Sequence, residues 1–79
     1  MKLVINPAEF EHLENKSHRN HNYYKDKNGI EILEICHEEW HFYEYRLIEG
    51  DAWTFLGSSV YSISAKDYEV EIDFKQFYT

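Results

Sequence analysis

The feature that most constrains the fold is the alternation in residues 67–74, which read DYEVEIDF. Every second residue is apolar, and an acidic residue precedes each of them. Successive side chains of a β-strand point to opposite faces, so this pattern predicts a strand with one face toward a core and one toward solvent. The chain must therefore form a sheet that this strand can join.

Other segments show weaker signals of the same kind. Asn28-Gly29 precedes a run rich in β-branched residues, and Asn-Gly is a strong hairpin signal because both central residues of a type I′ turn need positive φ. We expect a hairpin there. The complete set of further predicted strands is 2–5, 23–25, 30–35, 40–48, 52–56 and 59–65.

A helix is predicted after the first strand. Asn6 is a typical N-cap, Pro7 suits the first helical position, and Glu9 stands where a capping box places an acid. Phe10 and Leu13 would then face inward in a helix that runs to about residue 17.

Residues 31–49 allow two interpretations. Leu33, Cys36, Trp40 and Tyr43 keep a helical period, whereas the dense β-branched and aromatic content favours strands. We favour strands. The fold class expected is α+β, with a small antiparallel sheet of about five to six strands and one N-terminal helix packed on one face.

The whole chain, residues 1–79, is expected to form a single domain. A chain of 79 residues is close to the lower size limit at which a hydrophobic core is stable without disulfide bonds or other cross-links. Its 18% aromatic content supplies the large side chains that such a core needs. Cys36 is the only cysteine, so no internal disulfide can form, and no apolar run is as long as a signal-peptide core or a membrane span. We expect a cytoplasmic protein that does not contact a membrane.

The formal net charge of -7 limits the choice of partner. Negative charge repels the phosphate backbone and attracts basic protein surfaces, so we expect a basic protein partner and no direct binding of nucleic acid. The predicted contact residues are a row of carboxylates on the last strand, with a second patch near residue 40. They are Asp67, Glu69, Glu71 and Asp73, with Glu38, Glu39 and Trp40.

The spacing of the carboxylate row suggests mimicry of nucleic acid. Alternate residues of a strand lie roughly 6.6–6.8 Å apart, close to the separation of successive phosphates along one strand of nucleic acid. The simpler alternative is a solvated strand face whose like charges discourage aggregation. Both interpretations require an extended chain.

Residues 37–41, HEEWH, match the H-E-x-x-H pattern of zinc proteases, but that chemistry needs a helix and a cleft between lobes. A non-catalytic alternative is a turn at Glu38-Glu39 that brings His37 and His41 together. Structural zinc in small proteins generally uses several cysteines, and Cys36 is more typical of a structural thiol. No glycine-rich phosphate loop is present, so we expect no cofactor, no metal and no catalysis.

The functional hypothesis is a small acidic inhibitor of the immunity, antitoxin or phage anti-defence type, the last including anti-CRISPR proteins. It would neutralise a nuclease, a toxin or a defence complex by offering carboxylates and aromatic rings to a basic surface. The alternative is an assembly protein that forms a homodimer through the exposed aromatic strand 40–48, since unpaired strands and exposed rings favour self-association.

Overall fold

The structure is a computed structural model in which residues 2–60 and 67–72 are described. These residues form seven β-strands and one short 3₁₀ turn at Pro7–Glu9. The strands are β1 (Lys2–Ile5), β2 (Glu11–His12), β3 (His21–Lys25), β4 (Glu31–His37), β5 (Trp40–Arg46), β6 (Thr54–Ser59) and β7 (Tyr68–Glu71).

The predicted N-terminal helix is wrong, and with it the α+β class, because the described part of the chain contains no α-helix. Asn6 does act as a cap, since its Oδ1 accepts a hydrogen bond from the Ala8 amide at 3.0 Å. The turn nevertheless ends at Phe10, whose ψ of 147° is extended. The following residues pair with β3, and two inward apolar residues are too few to stabilise a short helix against that pairing.

Strands β2 to β6 form one antiparallel meander in sequence order. The predicted hairpin between β3 and β4 is confirmed, although its turn differs from the expected type. Gly29 has φ of 87°, whereas Asn28 has no positive φ. The carboxylate of Asp26 closes the turn by accepting hydrogen bonds from the amides of Asn28 and Ile30, both at 2.9 Å.

The strand interpretation of residues 31–49 is also confirmed. β4 and β5 form a hairpin in which Glu31 faces Arg46 and His37 faces Trp40. Glu38 takes the positive φ, 57°, at the turn. Directly opposed residues of an antiparallel pair share a face, so this register decides which side chains meet.

Strand β7 does not join the meander, so the expected single sheet is wrong as well. It pairs with β1 in a separate two-stranded sheet, with Ile5 opposite Tyr68. This small sheet packs on the inner face of the large sheet around buried Ile5, Ile30, Ile32 and Tyr43. The two layers thus leave two outer faces that point in opposite directions.

Gly57 of the large sheet lies against the Tyr68 ring of the small sheet. The predicted strand 52–56 ends before this residue, whereas β6 runs through it. A Cβ at position 57 would collide with Cε1 of the buried Tyr68 ring and lie 3.1 Å from its Cδ1 and Cζ. Glycine therefore permits the small sheet to dock. Residues 61–66, most of the predicted strand 59–65, lie outside the described residues.

No helix in the described ranges has the length and apolar character needed to cross a bilayer.

Candidate functional site

The described part of the carboxylate row is extended, as the alternation predicts. Asp67, Glu69 and Glu71 are exposed, whereas the alternate residues Tyr68 and Ile72 are buried and Val70 is half-buried. Asp73, the fourth predicted member, lies outside the described residues.

The neighbouring strand modifies this row. Lys2 is paired with Glu71 and Val4 with Glu69, which places all four side chains on the outer face of the small sheet. Val4 is 56% exposed. The row therefore has a lysine and an apolar side chain beside it, and its net charge is lower than the carboxylates alone suggest.

The outer face of the large sheet presents aromatic rings. Trp40 and Phe42 are stacked with their ring centroids 6.4 Å apart, and they are 45% and 37% exposed. Phe55 on the neighbouring strand is 62% exposed. Strand β5 carries aromatics on both faces, because Tyr43, the residue after Phe42, points to the inner face and is buried in the core.

Acidic residues border these rings. Glu38 and Glu39 are exposed in the turn that joins β4 to β5. A shallow groove of about 210 Å³ is lined by His37, Glu38, Trp40 and Phe42. We call Glu38, Glu39, Trp40, Phe42 and Phe55 the aromatic–acidic patch. The carboxylate row lies on the other outer face, so the predicted contact residues form two separate surfaces.

A third group of side chains lies on the inner face of the large sheet, beyond the core. Glu34 is 2% exposed, and its Oε1 accepts hydrogen bonds from Nδ2 of Asn22 at 2.9 Å and from the Tyr24 hydroxyl at 3.3 Å. Its Oε2 lies 3.2 Å from Nδ1 of His41, yet it accepts no hydrogen bond from any described residue. Sγ of Cys36 lies 3.3 Å from the same nitrogen.

Burial and negative charge shape the acidities in this group. Burial, followed by the nearby Glu34 carboxylate, raises the pKa of Tyr24 to about 12. The same two causes, in the same order, raise the pKa of the Cys36 thiol. Both groups therefore keep their protons more firmly than they would in water.

This arrangement differs from that of an activated thiol. A catalytic relay places the nucleophile at one imidazole nitrogen and the carboxylate at the other. Here Cys36 and Glu34 both approach Nδ1 of His41. A reactive cysteine also has a lowered pKa, and the environment of Cys36 raises it.

The structure separates the two histidines of the HEEWH segment. His37 pairs with Trp40 and His41 with Cys36, so the two imidazoles project from opposite faces of the hairpin. The turn at Glu38-Glu39 is confirmed, but it does not bring His37 to His41. A sequence signal for the actual neighbours existed, because a two-residue turn at that position places Cys36 opposite His41.

Comparisons with known proteins find no matching family model, no matching curated protein and no matching solved structure.

Proposed function

We propose that the protein binds another protein through the aromatic–acidic patch, and that the partner presents a basic surface. The observation that carries the proposal is the stacked, solvent-exposed pair Trp40 and Phe42 on the outer face of the large sheet. Tryptophan and other large aromatics dominate the energetics of protein interfaces, and clustered exposure of such rings is unusual on a surface without a partner.

The energy available from these rings is substantial. A large aromatic ring buries roughly 150–250 Å² in total, so covering the half that is exposed removes about 100 Å² from water. At ~25 cal/mol per Å² this gives about 2.5 kcal/mol for each ring. Three rings, Trp40, Phe42 and Phe55, are sufficient to form the energetic centre of an interface.

Charge favours a basic partner over a neutral one. Glu38 and Glu39 are exposed beside the rings, and the net charge of the chain is -7. Such a charge speeds the encounter with a positive surface. Proteins that handle nucleic acid have such surfaces, so the proposal extends to an inhibitor that covers the basic surface of a nuclease, a toxin or a defence complex.

The carboxylate row has a different role in this proposal. Asp67, Glu69 and Glu71 lie on the outer face of the small sheet, away from Trp40. They would add long-range attraction without touching a partner that is bound to the patch. Their loss should slow association and leave dissociation unchanged.

Capture from the native host, with quantitative mass spectrometry, tests the proposal. The two variants are Trp40→Ala/Phe42→Ala, in the patch, and Glu69→Ser/Glu71→Ser, on the opposite face. We expect one basic protein to be retained by the wild type and by the second variant and lost from the first. Retention by the patch variant, with loss from the row variant, would assign binding to the row instead.

A homodimer is the second candidate, and one observation favours it. Among the described strands, none pairs with the outer edge of β6, which carries exposed Phe55. Light scattering at micromolar concentration distinguishes the candidates. A dimer that Phe55→Ser converts to a monomer would support self-association and contradict the binding of a foreign protein at this patch.

A further inference from the structure

We propose that Glu34, Cys36 and His41 form a binding site for one zinc ion. The three residues lie on the inner face of the β4–β5 hairpin, on the other side of the sheet from Trp40 and Phe42. The site is thus independent of the aromatic–acidic patch, and either proposal can fail without the other.

The distances among the three candidate ligand atoms fit a tetrahedral metal. One carboxylate oxygen of Glu34, Sγ of Cys36 and one ring nitrogen of His41 lie within 4.8 Å of one another. Two separations, from Nδ1 to Oε2 and from Nδ1 to Sγ, are 3.2 and 3.3 Å. With zinc bonds of about 2.3 Å to sulfur and about 2.0–2.2 Å to nitrogen or oxygen, the edges of a tetrahedral site are roughly 3.4–3.6 Å. A metal would require movements of only a few tenths of an ångström for these two pairs.

The second, independent observation is Oε2 of Glu34, which is buried and accepts no hydrogen bond from a described residue, although Nδ1 of His41 lies 3.2 Å away. The side chain is 2% exposed, and among the described residues nothing donates a hydrogen bond to Oε2. A buried carboxylate oxygen without a donor is costly, because it has lost its hydration without replacement. A cation at the point where Oε2, Sγ and Nδ1 converge would remove that cost.

The surroundings orient the carboxylate for such a role. Asn22 and Tyr24 both donate to Oε1, whereas Oε2 receives neither of these hydrogen bonds and lies 3.2 Å from Nδ1 of His41. Bound carboxylates in metal sites are commonly fixed by hydrogen bonds of this kind. The arrangement corresponds to a ligand that coordinates through one oxygen while the other is held by the protein.

The chemical types of the three ligand atoms indicate which metals the site would prefer. Zinc would displace the proton of the Cys36 thiol into solvent, because metals bind the thiolate. A thiolate with an imidazole favours zinc and related transition metals, whereas magnesium and calcium prefer oxygen ligands alone. Glu34, Cys36 and His41 supply three ligands, so water would complete the coordination. The ion would cross-link β4 to β5 two residues from the exposed turn, and it would therefore stabilise the hairpin that displays Trp40.

Two titrations of the metal-free protein test the site. Cobalt(II) should give a thiolate-to-metal charge-transfer band and the visible spectrum of four-coordinate cobalt, both saturating at one equivalent. Zinc should displace the cobalt. Zinc should also raise Tm by about 10–20 °C at a free concentration of 100 times its Kd. Absence of the charge-transfer band in the wild-type protein would overturn the proposal.

Variants locate the site. Cys36→Ser should abolish the charge-transfer band, and Glu34→Gln and His41→Asn should weaken cobalt binding by tenfold or more. The control is His37→Asn, which removes the neighbouring histidine on the opposite face and should leave the titration unchanged. Circular dichroism of the metal-free variants checks their folding. A band that survives Cys36→Ser, or that His37→Asn removes, would contradict the assignment.

Discussion

Removing the positive charge at Arg46 should destabilise the fold more than other single changes on the outer face of the large sheet. Nε and Nη2 of Arg46 donate hydrogen bonds to Oε2 of Glu31 at 3.1 and 2.9 Å. Glu31 is 1% exposed, and its Oε1 has no hydrogen-bond donor among the described residues. The guanidinium carbon lies 4.3 Å from the centroid of the Trp53 ring, within the range of a cation–π contact.

The change Arg46→Met retains an unbranched, apolar stem at this position and removes the charge and the hydrogen-bond donors. It leaves a buried carboxylate without a cation, which costs about 3–5 kcal/mol in comparable buried pairs. The stacking on Trp53 is lost as well, for roughly 0.5–2 kcal/mol. A domain of this length has a free energy of unfolding of only about 4–12 kcal/mol. The variant should therefore be marginally stable.

Urea unfolding of the wild type, Arg46→Met and the double variant Glu31→Leu/Arg46→Met measures the effect. The double variant also removes the buried carboxylate of Glu31, so its stability should return to within about 1 kcal/mol of the wild type or exceed it. The slopes should stay equal, so that the midpoints report stability. A loss below about 1 kcal/mol for the single variant, or no recovery in the double variant, would refute the argument from burial.

Two further changes test the packing and the polar cluster. Gly57→Ala should lower the free energy of unfolding by about 1–3 kcal/mol, because the new Cβ meets the Tyr68 ring, and in the background of Tyr68→Ala that loss should disappear. In metal-free protein, the free energy of unfolding should fall as pH rises from about 10 to 12. Folding raises the pKa of Tyr24 to about 12, so over this range the tyrosine ionises in the unfolded chain but stays protonated in the folded one. Tyr24→Phe should flatten that decline relative to the control Tyr23→Phe, and equal declines in both variants would contradict the assigned cause.

The strands were predictable where the pattern was local. The alternation at residues 67–72 and the runs on either side of Asp26 and of Glu38 determine extended chain and hairpins without knowledge of the tertiary fold. The N-terminal segment shows the opposite case. Asn6 and Pro7 start a turn as expected, but pairing of Glu11 with Lys25 extends the chain that follows.

The division into two sheets was not predictable from the sequence alone. Strands β1 and β7 are the first and last strands described, and nothing in either sequence says that they pair with each other. The significance of Gly57 also depends on the docked position of Tyr68. Contacts between residues far apart in sequence decide both features.

The sequence analysis did not recognise the group formed by Glu34, Cys36 and His41, for a related reason. The HEEWH motif suggests a pairing of two histidines, His37 and His41. Strand alternation instead places Glu34 and Cys36 on the same face of the sheet as His41. The hairpin register was needed to recognise the group. The predicted contact residues that the structure describes are exposed, and their contact role stays a prediction. Their separation onto two faces could not be predicted, because it depends on the packing of the layers.

The most direct test of the central claim, that the aromatic–acidic patch is the contact surface, is the dissociation rate of the captured partner measured by surface plasmon resonance. Trp40→Ala should raise this rate at least tenfold, which corresponds to about 1.4 kcal/mol, while Glu69→Ser/Glu71→Ser should lower only the association rate. An unchanged dissociation rate for Trp40→Ala, together with faster dissociation of the Glu69→Ser/Glu71→Ser variant, would contradict the claim.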